Sequence, residues 1–313
     1  MRRVLPGSPR EALFAAALVF CLTPFASPPL ALAVGLALAL TVGHPWGAHN
    51  ARVVKYLLQV SVVGLGFGMN FGQVVEAGRT GVAFTAVSIT GTLAAGWLIG
   101  RWLRIERNTS SLISSGTAIC GGSAIAAVAP IINAGEKEIS VALGTVFILN
   151  SVALFVFPPV GRYLGLSQTQ FGLWSAIAIH DTSSVVGAAA RYGPEALRIA
   201  TTVKLTRALW ILPLSVFAVF AFKNKSAKVT VPYFIFAFAG ASLLVSAFPG
   251  FSGFYSAVTG AAKTGLTVTL FLIGAGLSRS TLRSVGFRPV LQGVLLWGLI
   301  SAAALFAVTR GAA

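Results

Sequence analysis

Acidic side chains are nearly absent from this chain. It holds seven among 313 residues, and Asp181 is the only aspartate. The six glutamates, Glu11, Glu76, Glu106, Glu136, Glu138 and Glu195, all fall at or near the ends of apolar runs. Cysteine is equally scarce. Cys21 and Cys120 both lie within apolar stretches, and two such residues give no disulfide framework. Charged residues make up only 10% of the chain, too few to cover the surface of a soluble domain of this length. There is no extended linker and no low-complexity tail. His44 and His49 share the loop TVGHPWGAHN, but they form no HExxH pair and have no acid close by in sequence. No zinc signature, P-loop or nucleotide-binding glycine motif is present, which argues against an ATP-driven pump built from this chain alone.

What the chain has instead is apolar length. It is 56% hydrophobic with mean hydropathy +0.85, and runs of about 20 apolar residues recur throughout. This pattern predicts an all-α polytopic membrane protein. The runs are continuous rather than alternating, which disfavours a β-barrel. Eleven spans are predicted, at 10–25, 28–43, 51–70, 80–103, 108–133, 138–159, 169–191, 196–222, 232–248, 264–279 and 287–309. Residues 249–263 read as a short surface helix. The N-terminus has a signal-like charge pattern but no convincing cleavage site, so it reads as a retained first helix. The domain expectation is one membrane-embedded unit over 1–313, with core elements near 51–159 and 169–222 and a repeat-related segment at 264–309.

The net charge of +16 does not point to nucleic acid, because the basic residues sit in short loops between apolar runs. With the N-terminus in the cytoplasm, 15 of them fall on the cytoplasmic side and 6 on the other, leaving Lys204 and Arg207 inside a span. That asymmetry predicts a multi-pass protein of the plasma (inner) membrane with its N-terminus inside and its C-terminus outside.

Three places within the spans carry polar chemistry. Asp181 lies in WSAIAIHDTSSVVGAAA, beside His180, Thr182, Ser183 and Ser184. A carboxylate at bilayer depth costs about 3 kcal/mol or more on insertion scales, so it faces a protein interior or a water-filled cavity. Adjacent helical residues point about 100° apart, so His180 and Asp181 can line one site only if the helix unwinds or borders a wide cavity. The second place is SSGTAICGGSAIAAVAP. Gly121 and Gly122, flanked by Thr117, Cys120 and Ser123, weaken a helix interior. A broken helix at that depth is tolerated only against protein or a cavity, and transporters use such breaks to hold ions. Close packing of small residues is the alternative reading.

The third place is TTVKLTRALWILPL, where Lys204 and Arg207 are spaced i, i+3 and share a helix face. If both are interior, the surplus positive charge favours an anionic substrate. The alternative is that one pairs with Asp181 while the other reaches the headgroups. Asn150 either bonds the broken region or only a neighbouring helix. Gly64, Gly68 and Gly72 have small-xxx-small spacing, which reads as a packing face, while Asn70 and Gln73 could border a vestibule.

Two internal similarities stand out. GFGMNFGQVVEAG (66–78) matches GAGLSRSTLRSVG (274–286), pairing Gly66 with Gly274, Gly68 with Gly276 and Gly78 with Gly286. The predicted topology sets these two copies antiparallel, as an inverted repeat requires. TAICGGSAIAA (117–127) also resembles IAIHDTSSVVG (177–187), but by helix parity that pair runs parallel, which an inverted repeat does not allow.

The segments GTAICGGSAIAA, IHDTSS and KLTR, with the sequence around them, resemble the YeiH-type family of sulfate-exporter-like membrane proteins over essentially the whole chain. That family is similar to the bile-acid/sodium symporters and the sodium/proton antiporters. The resemblance implies a panel domain and a core domain, with two broken helices crossing in the core at Cys120–Ser123 and His180–Ser184. The order departs from the symporters: IGAGLSRS follows IHDTSS instead of preceding it, as a permuted relative would have it. The expected function is secondary active transport of a small anion by alternating access, with sulfate or a sulfonate-like compound implied by the resemblance. Substrate contacts are expected from Thr117, Cys120, Gly121, Gly122, Ser123, His180, Thr182, Ser183, Lys204 and Arg207. Asp181, with His180, is expected to carry ion coupling. No catalytic residue, metal or cofactor is expected beyond a coupling proton or sodium ion. The expected partners are the substrate and the lipid bilayer, without nucleic acid, and a homodimer is compatible with this reading. A passive anion channel and a membrane-embedded enzyme using His180 and Asp181 are the rival readings.

Overall fold

The computed structural model describes residues 9–72, 75, 82–222, 233–277 and 285–311. Gln73, Gly78 and the loop cations Arg2, Arg3, Arg79, Lys223, Lys225, Lys228, Arg279 and Arg283 lie outside the described residues, as does part of each segment of the 66–78 and 274–286 match. The described regular structure is helical. In order it comprises α1 (Pro9–Cys21), α2 (Pro28–Thr41), α3 (Gly47–Gly66), α4 (Val82–Trp102), α5 (Arg107–Ala118), α6 (Gly122–Val128), α7 (Glu136–Tyr163), α8 (Gln168–Ala178), α9 (Thr182–Tyr192), α10 (Pro194–Leu209), α11 (Ile211–Ala221), α12 (Tyr233–Ala247), α13 (Ser252–Gly276) and α14 (Phe287–Thr309).

Four helical stretches among the described residues are long and apolar enough to cross a membrane: Lys137–Tyr163, Pro194–Ala221, Pro249–Gly276 and Phe287–Thr309. Pro28–Thr41 and Tyr233–Ala247 are shorter apolar helices. Large apolar side chains such as Trp97, Trp102, Phe217, Phe220 and Phe306 point outward, as expected where the surrounding solvent is hydrocarbon rather than water. The expected surface helix at 249–263 is not a separate element. After one 3-10 turn at Pro249–Phe251, helix α13 runs unbroken to Gly276. Its first turns are rich in small residues, and nothing there stops a helix once started.

The chain divides into two compact units, one formed by Met1–Asn70 with Ala237–Leu282 and the other by Phe71–Phe236 with Arg283–Ala313. The predicted core stretch 51–159 is therefore shared between them. In the first unit α13 packs along α2 and α3. The contact with α2 is backbone to backbone: a Cβ on Gly35 would lie 2.1 Å from Phe271 O, and one on Gly274 would lie 2.3 Å from Leu32 O. Small residues permit this approach, and close packing is the main force joining helices in lipid. Gly64 sits against Ala262, Gly66 against Phe238 and Gly68 against Thr259, so this glycine cluster is a packing face. A small core of Phe14, Cys21, Ala31, Val268, Phe271 and Leu272 closes the unit.

The second unit holds all the candidate site residues. Helix α10 packs on α8 and α9, α5 packs on α4 and α7, and α14 lies against α4, α5, α7 and α8. Gln292 of α14 donates through Nε2 to Gly96 O (3.0 Å), Ser110 Oγ (2.8 Å) and Ser114 Oγ (3.2 Å). Gly96 and Gly100 let α4 ride over Ser114 and Ser110, where a Cβ would overlap the hydroxyls.

Candidate functional site

Two predicted spans are interrupted where their polar residues lie. The first stops at Ala118 and restarts at Gly122. The Ile119 N–H still reaches Ser115 O, and the Gly121 N–H folds back onto Gly116 O. Gly121 takes φ +65° and ψ −124°, a conformation that costs an L-residue strain energy. The second stops at Ala178 and restarts at Thr182. Ile179 and Asp181 are extended, with ψ near 126° and 153°. This unwinding lets His180 and Asp181 escape the 100° divergence of adjacent helical residues. The interruptions touch: a Cβ on Gly121 would lie 3.1 Å from Asp181 Cβ and 3.4 Å from Asp181 Cα.

Each break leaves carbonyls without their helical donors, and the sequence supplies replacements. The His180 N–H is diverted to Asn150 Oδ1 at 3.0 Å, which leaves Ala176 O without its i+4 partner. Lys204 Nζ fills that place, donating to Ala176 O at 3.2 Å and to Ile179 O at 2.7 Å. At the other break Arg207 Nε donates to Ala118 O at 2.8 Å and Nη1 donates to Ser88 Oγ at 2.8 Å. Lys204 and Arg207 thus each cap the C-terminal end of one half-helix, where the helix dipole is negative. Both are fully buried. The alternative in which one reaches the headgroups is therefore corrected, and among the described residues neither forms an ion pair with Asp181.

Asp181 is the N-cap of α9. Its Oδ1 accepts from the Ser183 N–H (2.5 Å), the Ser183 hydroxyl (2.5 Å) and the Ser184 N–H (3.1 Å), while Oδ2 accepts from the Ser184 hydroxyl (2.6 Å). The carboxylate is 6% exposed at residue level and carries four donated hydrogen bonds.

Around the touching breaks several buried polar atoms have no partner among the described residues: Thr117 Oγ1, Asn150 Nδ2, both ring nitrogens of His180 and Arg207 Nη2. Cys120 and Thr182 are buried beside them, Gly122 is half-buried and Ser123 is exposed. The structure thus gathers Thr117, Cys120, Gly121, His180, Asp181, Ser183, Lys204 and Arg207 at one crossing and turns Ser123 away from the buried cluster. Asn150 belongs to the broken region rather than to a neighbouring helix alone. Ser88 was not foreseen. It sits in the ordinary apolar run AVSITGT, and no spacing in that run marks it.

The family described as Conserved hypothetical protein 698 matches residues 12–308. The chain is 55% identical over 284 residues to a UPF0324 membrane protein of Bacteroides thetaiotaomicron, covering 89% of this chain and 85% of that protein. It is 57% identical over 290 residues to one from Porphyromonas gingivalis, covering 90% and 87%. With one from Geobacter sulfurreducens it shares 49% identity over 299 residues, covering 96% of each. No solved structure matches the chain. A multi-pass helical chain with this match over nearly its whole length belongs to the Conserved hypothetical protein 698 (UPF0324) family of membrane proteins, which is also the YeiH family.

Proposed function

We propose that this protein is a secondary active transporter of a small anion and works by alternating access. The observation that carries the reading is the meeting of two interrupted helices around buried donors without partners. An unpartnered buried polar atom costs about 1–3 kcal/mol, and a cluster of them at one place supports a binding site there. The charge at the crossing supports an anion: Lys204 and Arg207 are two buried cations, Asp181 is one buried carboxylate, and the balance is positive. The free Nη2 of Arg207, the Asn150 amide and the Thr117 hydroxyl are donors suited to oxyanion oxygens. His180 and Asp181 carry the coupling ion. Sulfate or a sulfonate-like compound is the substrate implied by the resemblance. In this reading the protein has no catalytic role.

The finer architecture belongs to the same proposal. Eleven spans with inverted-repeat character form a panel and a core, and the core carries the crossing. The N-terminus is cytoplasmic, in the plasma membrane. Movement of the broken-helix bundle opens the crossing to one side and then the other.

The test is flux in proteoliposomes made with purified protein and loaded with radiolabelled sulfate. Uphill movement driven by an imposed proton or sodium gradient is the expected result. Flux that no ion gradient can drive uphill would show a passive channel instead. Absence of anion flux under all gradients would remove the transporter reading.

A further inference from the structure

The Asp181 carboxylate is held as a bound anion would be. Two backbone N–H groups and two hydroxyls converge on it at 2.5–3.1 Å. An ordinary N-cap accepts from one or two backbone N–H groups, whereas here both neighbouring serines add their hydroxyls. Helix α9, which these donors begin, is 11 residues long. Around the crossing, Thr117 Oγ1, Asn150 Nδ2, Arg207 Nη2 and the His180 ring lack partners while fully or almost fully buried. They are tied to the place by their own bonds, since Asn150 holds the His180 N–H and Arg207 holds Ala118 O. A carboxylate tethered at position 181 leaves these atoms unmatched. A free oxyanion brings three or four acceptor oxygens, against the two of a carboxylate.

We propose that Asp181 is a resident stand-in for the transported anion, occupying the Ser183 and Ser184 donors in the closed arrangement and leaving them to the substrate as it takes up one proton. The inference rests on the anion-transport reading above. The balance is simple: the carboxylate gains a proton and becomes the neutral acid, and the oxyanion takes the four donors without any covalent change. The proton is needed because a buried carboxylate that has lost its donors is strongly disfavoured as a charge. The charged or titratable groups facing it are few. His180 lies on its own break, Cys120 on the touching break, and Lys204 and Arg207 on α10, already bound to the half-helix carbonyls. Helix α7 presents Asn150 and Val146 here, and neither carries charge. Substrate binding and protonation are thereby linked at one side chain, which is a coupling device.

The test uses the purified full chain in detergent, titrated calorimetrically with sulfate, sulfite, nitrate, phosphate and bicarbonate in buffers of different ionisation enthalpy. For an anion that binds, the wild type is expected to take up about one proton per anion and to lose affinity about tenfold per pH unit at alkaline pH. Asp181→Asn keeps an N-cap side chain. It is expected to bind the same anion with no proton uptake, flat across pH, and at least about tenfold tighter than wild type at pH 8. Adding Ser184→Ala to that variant is expected to remove most of the gain. Wild-type binding without proton uptake, or weaker binding by Asp181→Asn at pH 8, overturns the stand-in and leaves anion binding intact. Binding of no anion by either protein overturns both readings. Absence of proton uptake by the wild type overturns the proposal whatever the variant's folding, so poor folding of the variant would not block the test.

Discussion

Lys204 and Arg207 serve the same purpose at two different helix breaks. A lysine and an arginine buried in hydrocarbon are expensive, and each is tolerated because a half-helix ends beside it with bare carbonyls. Gly121 is the complementary case, a residue chosen for what it lacks. Its φ of +65° and the 3.1 Å approach to Asp181 both exclude a side chain. Gly121→Ala is expected to destabilise the protein by about 1–3 kcal/mol and to lower the unfolding midpoint in detergent. Gly122→Ala, whose Cβ would meet the Phe147 and Leu143 side chains first, at 3.3–3.6 Å, should cost clearly less. Equal midpoints for the two variants would contradict the strained-backbone account.

His44 gives a second residue-scale prediction. It lies in the turn between α2 and α3, where burial lowers its pKa while the Asn50 side chain opposes the shift. The folded state therefore binds this proton less readily than the unfolded chain, whose histidine titrates near 6.5. The stabilisation is fully present above that value and is lost as pH falls through it towards the folded pKa. The melting temperature should decline on acidification below about 6.5, and His44→Asn should shrink that decline. An unchanged decline in the variant would assign it to other groups.

At the scale of elements, the second unit is held by close helix approaches that double as polar contacts. A Cβ on Gly96 would lie 2.1 Å from Ser114 Oγ and 2.6 Å from Ser114 Cβ. Gly96→Ala should therefore cost about 1–3 kcal/mol through overpacking, and Ser114→Gly in the same chain should restore part of it. Strictly additive losses in thermal unfolding would contradict this contact. The sequence marked both places as candidate breaks through Gly-Gly and His-Asp-Thr-Ser-Ser, but close packing of small residues at the first and a helix bordering a wide cavity at the second read equally from the chain. The partners of Lys204 and Arg207 were not readable. Apart from the Ser88 hydroxyl they are backbone carbonyls, which every residue has, so no residue type marks them. The long helix α13 was also missed, because the glycines and polar residues at 249–263 look like surface chain but do not end a helix.

At the scale of the whole molecule, the excess of basic residues on one set of loops makes a topological prediction. Reporters fused to the two ends should place the N-terminus in the cytoplasm and the C-terminus outside it. Both ends on the same side would refute an odd number of crossings. Composition and apolar run length alone determined that this is a multi-pass helical membrane protein, because in hydrocarbon a chain must satisfy its own backbone and has few ways to do so. The sequence also marked two places where a helix could stop. Only the tertiary structure decided that the two stops touch, that the buried cations bind the helix ends rather than Asp181, and that Asp181 is already surrounded by donors. The bonds of the two cations to the helix ends join residues 25 to 89 positions apart, and spacing along the chain carries no information about them.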